Sequence, residues 1–203
     1  MVYRRVLKYI FVLIFISFFI FICPPNFLAK DSKQEAFLKF EKQIYYLIDS
    51  SMEPLNQLSE DQDGESLYHA ALATKQKFAD NSLVFTKLRV PSALPNDIKT
   101  SLEHTKEEIL TGFKALEESM DYFAQYIVNR EPILYERFIE KRDKGFLYID
   151  GGLTSLATVR LQLDAPKIRS IPNAWKVGRR QFYQLEKNFL QNDKAVPIKS
   201  EHR

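Results

Sequence analysis

One apolar face can be followed along this sequence from residue 98 to residue 127. Its members recur at three-, four- and seven-residue steps: Ile98, Leu102, Ile109, Phe113, Leu116, Met120, Phe123 and Ile127. This spacing predicts an amphipathic helix roughly 45–50 Å long. We expect Asn96 or Asp97 to cap its N-terminus and Glu131-Pro132 to interrupt it. A helix of this length needs other helices against its apolar face, so it largely decides the fold class.

Helical periodicity also runs through the rest of the chain after residue 31. Ser32 and Glu35 form a capping-box pattern that predicts the start of a first helix, which Pro54 should bend or end. The apolar stripe of the first helix is Phe37, Ile44, Ile48, Met52, Leu55 and Leu58. A second helix is predicted by the stripe Leu67, Ala70, Ala71, Phe78, Phe85 and Leu88. The last helix is predicted by the stripe Trp175, Gly178, Phe182, Leu185 and Phe189. Leu134 and Phe138 begin a further helix. The sequence therefore predicts an all-α fold, an antiparallel bundle of four or five long helices after an N-terminal membrane-targeting segment.

Residues 145–163 allow two interpretations. Gly151-Gly152 between two apolar runs is a turn signal, so this stretch fits a β-hairpin. A helix is also possible, with Gly145 and Gly152 allowing a neighbouring helix to approach closely. It would carry an apolar stripe formed by Phe138, Ile149, Leu153, Leu156 and Leu163. Since an isolated hairpin is marginal in an otherwise helical chain, we favour the helix.

The N-terminus predicts an attachment to a membrane. Arg4, Arg5 and Lys8 precede an apolar run, and no acidic residue occurs before Asp31. Residues 1–30 are therefore expected to be a transmembrane anchor or a signal peptide, with the N-terminus cytoplasmic and residues 9–29 in the bilayer. Phe27 disfavours cleavage after the following Ala29, so we predict a single-pass protein of the cell membrane. The alternative is a protein secreted after signal-peptide cleavage.

The remainder is expected to be an extracytoplasmic helical bundle, 31–191, with a polar, disordered tail at 192–203. Cys23, the single cysteine, lies in the targeting segment, so the bundle has no disulfide and its fold must rest on an apolar core.

Charge is divided unevenly along the chain. Residues 31–166 hold 16 Lys and Arg against 23 Asp and Glu, a net of −7, whereas 167–203 hold 9 against 3, a net of +6.

Catalytic, cofactor and metal sites are not predicted. No phosphate-binding loop, nucleophile elbow or paired-histidine zinc helix occurs in the sequence. Two Glu/His pairs one helical turn apart, Glu65 with His69 and His104 with Glu108, are interpreted as helix-surface pairs. The acidic run that ends at Asp63-Gly64 matches half of a calcium loop. It is interpreted as an interhelical turn, because Ala70 stands where the closing carboxylate should be.

Four cations on the last helix form the one candidate binding set: Lys176, Arg179, Arg180 and Lys187. They suit an anionic surface, while an extracytoplasmic location argues against nucleic acid. The first functional hypothesis is a non-enzymatic interaction or scaffold module for a protein partner in the cell envelope. The alternative is a module that binds anionic envelope polymers or lipid headgroups through these four side chains. A metal-dependent or hydrolytic enzyme ranks third.

Overall fold

The computed structural model describes the backbone of residues 25–56, 63–167 and 173–195, and the side chains of 32–55, 63–167 and 175–190. Within these ranges the chain forms five helices and no strand, which confirms the predicted helical bundle. The helices are α1 (Pro25–Asn56), α2 (Gly64–Lys87), α3 (Asn96–Asn129), α4 (Pro132–Gln162) and α5 (Asn173–Ala195).

The predicted membrane segment lies outside the described residues except for 25–29, which belong to α1. Of the helices described here, none combines the length and the apolar character needed to cross a bilayer. The tail predicted at 192–203 also lies mostly outside them, although α5 continues to Ala195.

The first helix begins earlier than its sequence signals indicate. Ser32 and Glu35 lie inside α1, so the prediction that they cap its N-terminus was wrong. The described part of α1 begins at Pro25. Pro54 falls in the last turn of α1, and the helix ends at Asn56.

The predicted stripe of α3 is confirmed, since all eight of its residues are buried. Its N-cap differs from the prediction, because Pro95 holds that position without a side-chain hydrogen bond. Asp97 lies instead in the first turn, where the helix dipole favours a carboxylate. Arg130, in the left-handed conformation at φ 60°, ends α3, and Pro132 then opens α4.

Residues 145–162 are helical, so the helical interpretation of this stretch is confirmed and the hairpin is excluded. Glycines explain how closely α4 lies against α3. A Cβ added at Gly152 would lie 2.5 Å from Ile109 Cγ1, and one at Gly145 would lie 2.5 Å from Leu116 Cγ. A Cβ at Gly112 of α3 would lie 3.0 Å from the Gly145 carbonyl oxygen. The two backbones therefore meet at positions where a side chain has no room.

Consecutive helices are antiparallel. Along α3 and α4, Ser119 bonds to the carbonyl of Phe138, whereas Gly152 lies much nearer the start of α3, against Ile109. The other consecutive pairs behave in the same way, as cross-helix contacts show: Lys75–Asp121 and Phe85–Phe113 for α2 and α3, Glu53–Lys77 and Ser50–Asn81 for α1 and α2, Arg142–Glu186 and Asp150–Arg179 for α4 and α5.

The helices α1 and α5 point in the same direction and contact each other. Both run antiparallel to α4. For α1 this follows from Gln34 and Glu41, which contact Leu163 and Arg160. For α5 it follows from the two ion pairs with α4. Met52, near the end of α1, packs on Gly178, near the start of α5. The helix α5 therefore begins beside the end of α1 and extends beyond it.

Candidate functional site

The last helix separates an apolar face from a basic one. Its predicted apolar residues are all buried: Trp175, Gly178, Phe182, Leu185 and Phe189. Because successive helical residues turn by about 100°, Lys176, Arg180 and Lys187 lie within about 40° of one another on the opposite side. All three are exposed, and none has an ion pair with a described side chain. We call these three residues the basic row.

Arg179, the fourth predicted cation, makes intramolecular contacts instead. Its Nη1 atom donates to Asp150 Oδ2 at 2.7 Å, and its guanidinium lies 4.9 Å from the centre of the Phe146 ring. Trp175 Nε1 donates to the other oxygen of Asp150 at 2.6 Å. Arg179 therefore helps to join α5 to α4, and the predicted set of four divides into three exposed cations and one structural cation.

A second polar contact between α4 and α5 was not predicted. Glu186 accepts hydrogen bonds from the Tyr135 hydroxyl and from Arg142, and the Arg142 guanidinium also lies 4.7 Å from the centre of the Tyr183 ring. Burial, the hydrogen bond to Glu186 and the charge of that carboxylate raise the pKa of Tyr135 to about 12. The one acidic residue among the described α5 side chains is thus neutralised by α4 and does not oppose the basic row.

Another ion pair that was not predicted links α1 to α4. Glu41 is fully buried and accepts two hydrogen bonds from Arg160, the one from Nε at 3.2 Å. Burial raises the pKa of the Glu41 carboxyl, and the Arg160 guanidinium opposes that rise. A buried carboxylate held by arginine is a structural ion pair, because arginine keeps its proton and cannot exchange it with the carboxylate.

The two Glu/His pairs are helix-surface pairs as predicted, with nitrogen-to-oxygen distances of 3.8 Å in each. They lie at opposite ends of the α2–α3 contact. Near His69, Lys75 pairs with Asp121 in the C-terminal half of α3, whereas His104 lies near the start of α3. The described residues contain no group of three or more side chains able to hold a metal ion.

The calcium-loop hypothesis falls mostly on residues outside the described ranges. Asp63 is described, and its Oδ1 atom accepts from the Ser66 backbone N–H at 2.8 Å. This hydrogen bond lowers the pKa of Asp63 and makes the residue the N-cap of α2. The observed role of Asp63 is therefore that of a helix cap.

A groove of about 360 Å³ opens between the start of α3 and the end of α4, with His104 and Ser155 in its lining. Ser155 donates to Glu108 Oε2 at 3.2 Å, and His104 Nδ1 lies 3.8 Å from the same oxygen. An activated serine needs the imidazole between its hydroxyl and the carboxylate. Here the carboxylate lies in the middle, so these three side chains do not have the order of a Ser-His-acid triad.

Comparison with known proteins yields no match to a family model, to a curated protein or to a solved structure. Among the surfaces described above, the basic row has the most definite chemistry.

Proposed function

We propose that this chain is a membrane-tethered, extracytoplasmic helical module that acts by binding and not by catalysis. In this proposal the ligand is an anionic component of the cell envelope, and the basic row of α5 is the surface that contacts it. The tether is the apolar segment 9–29, and the bundle carries the row on the far side of the membrane from the N-terminus.

The exposed row of Lys176, Arg180 and Lys187 is the observation that supports the proposal. Each cation close to an anionic surface contributes about 1 kcal/mol, so three give roughly 3 kcal/mol. A single small anion cannot contact all three cations, because the row extends over about 16 Å of helix. The full sum is therefore reached only by a ligand that presents several negative charges at once, such as a polyanion or a charged surface.

A second candidate is a scaffold for a protein partner, and one observation favours it. Leu147 and Leu161 of α4 are 71% and 77% exposed. They are two heptads apart and so lie at nearly the same angle around the helix. Other strongly exposed apolar side chains lie on different helices, Tyr46 on α1, Leu83 on α2 and Val128 on α3. Since scattered apolar residues are common on protein surfaces, the basic row supports its proposal better.

Charge reversal tests the binding proposal. The full-length chain, purified in detergent, is titrated with inorganic polyphosphate, first as wild type and then as Lys176→Glu/Arg180→Glu/Lys187→Glu. The matched control reverses three exposed lysines elsewhere, Lys39, Lys42 and Lys144, and so changes the net charge equally.

We expect the control to keep most of the wild-type affinity and the row variant to lose it, with unchanged helical circular dichroism. Equal losses in both variants would show that only net charge matters. No binding by the wild type would refute the proposed function.

Membrane topology needs a separate measurement. Protease added to cells stripped of their wall should digest the bundle while the membrane stays intact. Complete protection until lysis would place the bundle in the cytoplasm, where the proposed envelope ligand does not occur.

A further inference from the structure

The groove between the start of α3 and the end of α4 is lined mainly by hydroxyl groups. Its lining consists of seven residues, of which four are serine or threonine: Thr100, Ser101, His104, Ser155, Thr158, Val159 and Gln162. A hydroxyl can donate one hydrogen and accept through two lone pairs. The ligand that suits this groove therefore depends on how the four hydroxyl hydrogens are used.

All four hydroxyl hydrogens are donated within the protein. Three go to the carbonyl four residues earlier in the same helix, at 3.0 to 3.1 Å, from Thr100, Ser101 and Thr158. The fourth goes from Ser155 Oγ to Glu108 Oε2 at 3.2 Å. A molecule in the groove therefore meets four hydroxyl oxygens that can only accept.

Negative charge lies directly beside these oxygens. Glu108 extends from α3 towards α4, since its Oε2 atom accepts from Ser155 and its Oε1 atom would lie 3.6 Å from a Cβ at Gly151. Within the described ranges, the only ion-pair contact of Glu108 is the one with His104, at 3.8 Å. Residues 31–166 carry a net charge of −7, which also attracts cations. The groove is thus suited to a positively charged donor.

We propose that this groove binds an aliphatic ammonium group, as a second ligand site separate from the basic row and opposite to it in charge preference. An ammonium carries three N–H donors and no acceptor, which matches a surface of hydroxyl oxygens. A carboxylate or phosphate would instead place its lone pairs against those of the groove. His104 and Gln162 can each donate or accept, and Val159 in the lining can contact methylene groups. The volume of about 360 Å³ lies within the range of small-molecule sites, about 300–1,000 Å³.

Histidine signals can report binding at this site. The full-length chain, in detergent, is labelled with ¹³C on its three histidine rings. His104 lines the groove, whereas His69 lies at the other end of the α2–α3 contact and serves as an internal control. The variants His69→Gln and His202→Gln assign the signals. Three probes with the same four-carbon chain, butylammonium, butanol and butyrate, are titrated at constant pH and ionic strength.

We expect butylammonium to shift the His104 signal to saturation, with a dissociation constant of roughly 1 mM for a ligand of this size, and to leave His69 unchanged. Butanol and butyrate should bind at least about tenfold more weakly, because one lacks the charge and the other lacks the donors. Equal binding of butanol would show that charge is not recognised and would overturn the proposal. Equal shifts of His69 and His104 would overturn it as well.

The hydroxyl oxygens are tested by a pair of double variants. Thr100→Val/Thr158→Val removes two acceptors from the groove and keeps the shape of the side chains. The matched control, Thr111→Val/Thr154→Val, removes two hydroxyls that also donate to the carbonyl four residues earlier in α3 and α4 but lie outside the lining. The groove variant should bind butylammonium about tenfold more weakly or worse, and the control should bind it as wild type does. Equal affinities of the two variants, with unchanged helical circular dichroism, would contradict the role of these oxygens.

The carboxylate is tested in the same way. Glu108→Gln removes the charge beside the groove, and the control Glu107→Gln removes one from the neighbouring, exposed position. Glu108→Gln should weaken butylammonium binding about tenfold, because a hydrogen-bonded charge near the ligand is lost. Equal losses in both variants would show that only the net charge matters and would refute a specific site.

Two further ammonium compounds separate the sources of such a group. 1,4-Diaminobutane represents a free polyamine, and Nα-acetyl-lysine methylamide represents the lysine side chain of a protein partner. The compound that binds more tightly identifies the source, and either result supports the ammonium site. If none of the three ammonium compounds shifts the His104 signal, the inference is wrong. The proposed function would still stand, because the basic row lies on α5 and is tested with polyphosphate.

Discussion

The contact between α3 and α4 predicts different effects on stability for two adjacent glycine substitutions. Gly151 and Gly152 both lie within α4. A Cβ at Gly151 would have its nearest neighbour, Glu108 Oε1, at 3.6 Å, which is ordinary contact. A Cβ at Gly152 would lie 2.5 Å from Ile109 Cγ1 and 3.2 Å from the Thr105 carbonyl oxygen. Cγ1 is bonded directly to Cβ, so Ile109 can remove this overlap only by changing rotamer or moving the backbone.

The magnitudes follow from two terms. Replacing glycine by alanine inside a helix stabilises by about 1 kcal/mol, and this gain applies to both positions. Overpacking costs about 1–3 kcal/mol, and this cost applies only to Gly152→Ala. The two variants should therefore differ by about 1–3 kcal/mol in unfolding free energy, or roughly 2–12 °C in melting temperature for a domain of this size.

Urea unfolding followed by far-ultraviolet circular dichroism measures this difference. Gly151→Ala should be slightly more stable than wild type, and Gly152→Ala should be less stable than Gly151→Ala. In an Ile109→Ala background the overlapping atom is absent, so Gly152→Ala should lose most of its cost. If Gly152→Ala is as stable as Gly151→Ala in the wild-type background, the two helices do not approach as closely as described.

Two further predictions concern the ion pairs. Arg160→Met should lower the unfolding free energy by about 3–5 kcal/mol at neutral pH, because it leaves the Glu41 carboxylate buried without a cation. Adding Glu41→Gln to this variant should restore part of the lost free energy. Because burial raises the folded pKa of Glu41, the stability that this carboxyl contributes is fully present below its unfolded pKa and is lost as pH rises through the folded pKa. Without Arg160 the folded pKa of Glu41 rises further, so Arg160→Met should gain more stability than wild type as the pH falls from neutral to about 5. Identical pH profiles of stability for the two proteins would contradict this. The raised pKa of Tyr135 stabilises the fold below the normal tyrosine pKa of about 10, and this contribution is lost as pH rises to about 12. Tyr135→Phe should therefore remove from the alkaline absorbance titration a tyrosinate that forms at about pH 12, and loss of one that forms at about pH 10 would refute the raised pKa of Tyr135.

Local periodicity was sufficient to predict the helices and their buried faces. In α3 every predicted stripe residue is buried, and in α5 the stripe from Trp175 to Phe189 is buried while Lys176, Arg180 and Lys187 are exposed. The close approach at Gly145 and Gly152 was also predictable, because small residues recurring on one helix face leave room for a neighbouring backbone. Such features depend only on residues within a few turns of one another.

Features that depend on distant residues were not predictable in this way. Glu41 and Arg160 are 119 positions apart, and nothing in the sequence near either residue indicates that they pair. The same holds for Tyr135 with Glu186 and for Arg179 with Asp150. The early start of α1 was missed for another reason. Ser32 and Glu35 match a capping box, but no backbone break occurs there because the preceding residues continue the helix.

The division between Arg179 and the basic row explains why only part of the predicted set is suitable for testing function. Reversing Arg179 would place a carboxylate beside Asp150 and remove the cation above the Phe146 ring, so lost binding in that variant could equally reflect a displaced α5. Lys176, Arg180 and Lys187 have no ion pair with a described side chain, and they face away from the apolar contacts that hold α5 in place. Their reversal should change the surface charge and leave the packing intact. Binding lost in the row variant, with unchanged unfolding free energy, therefore measures the ligand contact and not the attachment of the helix.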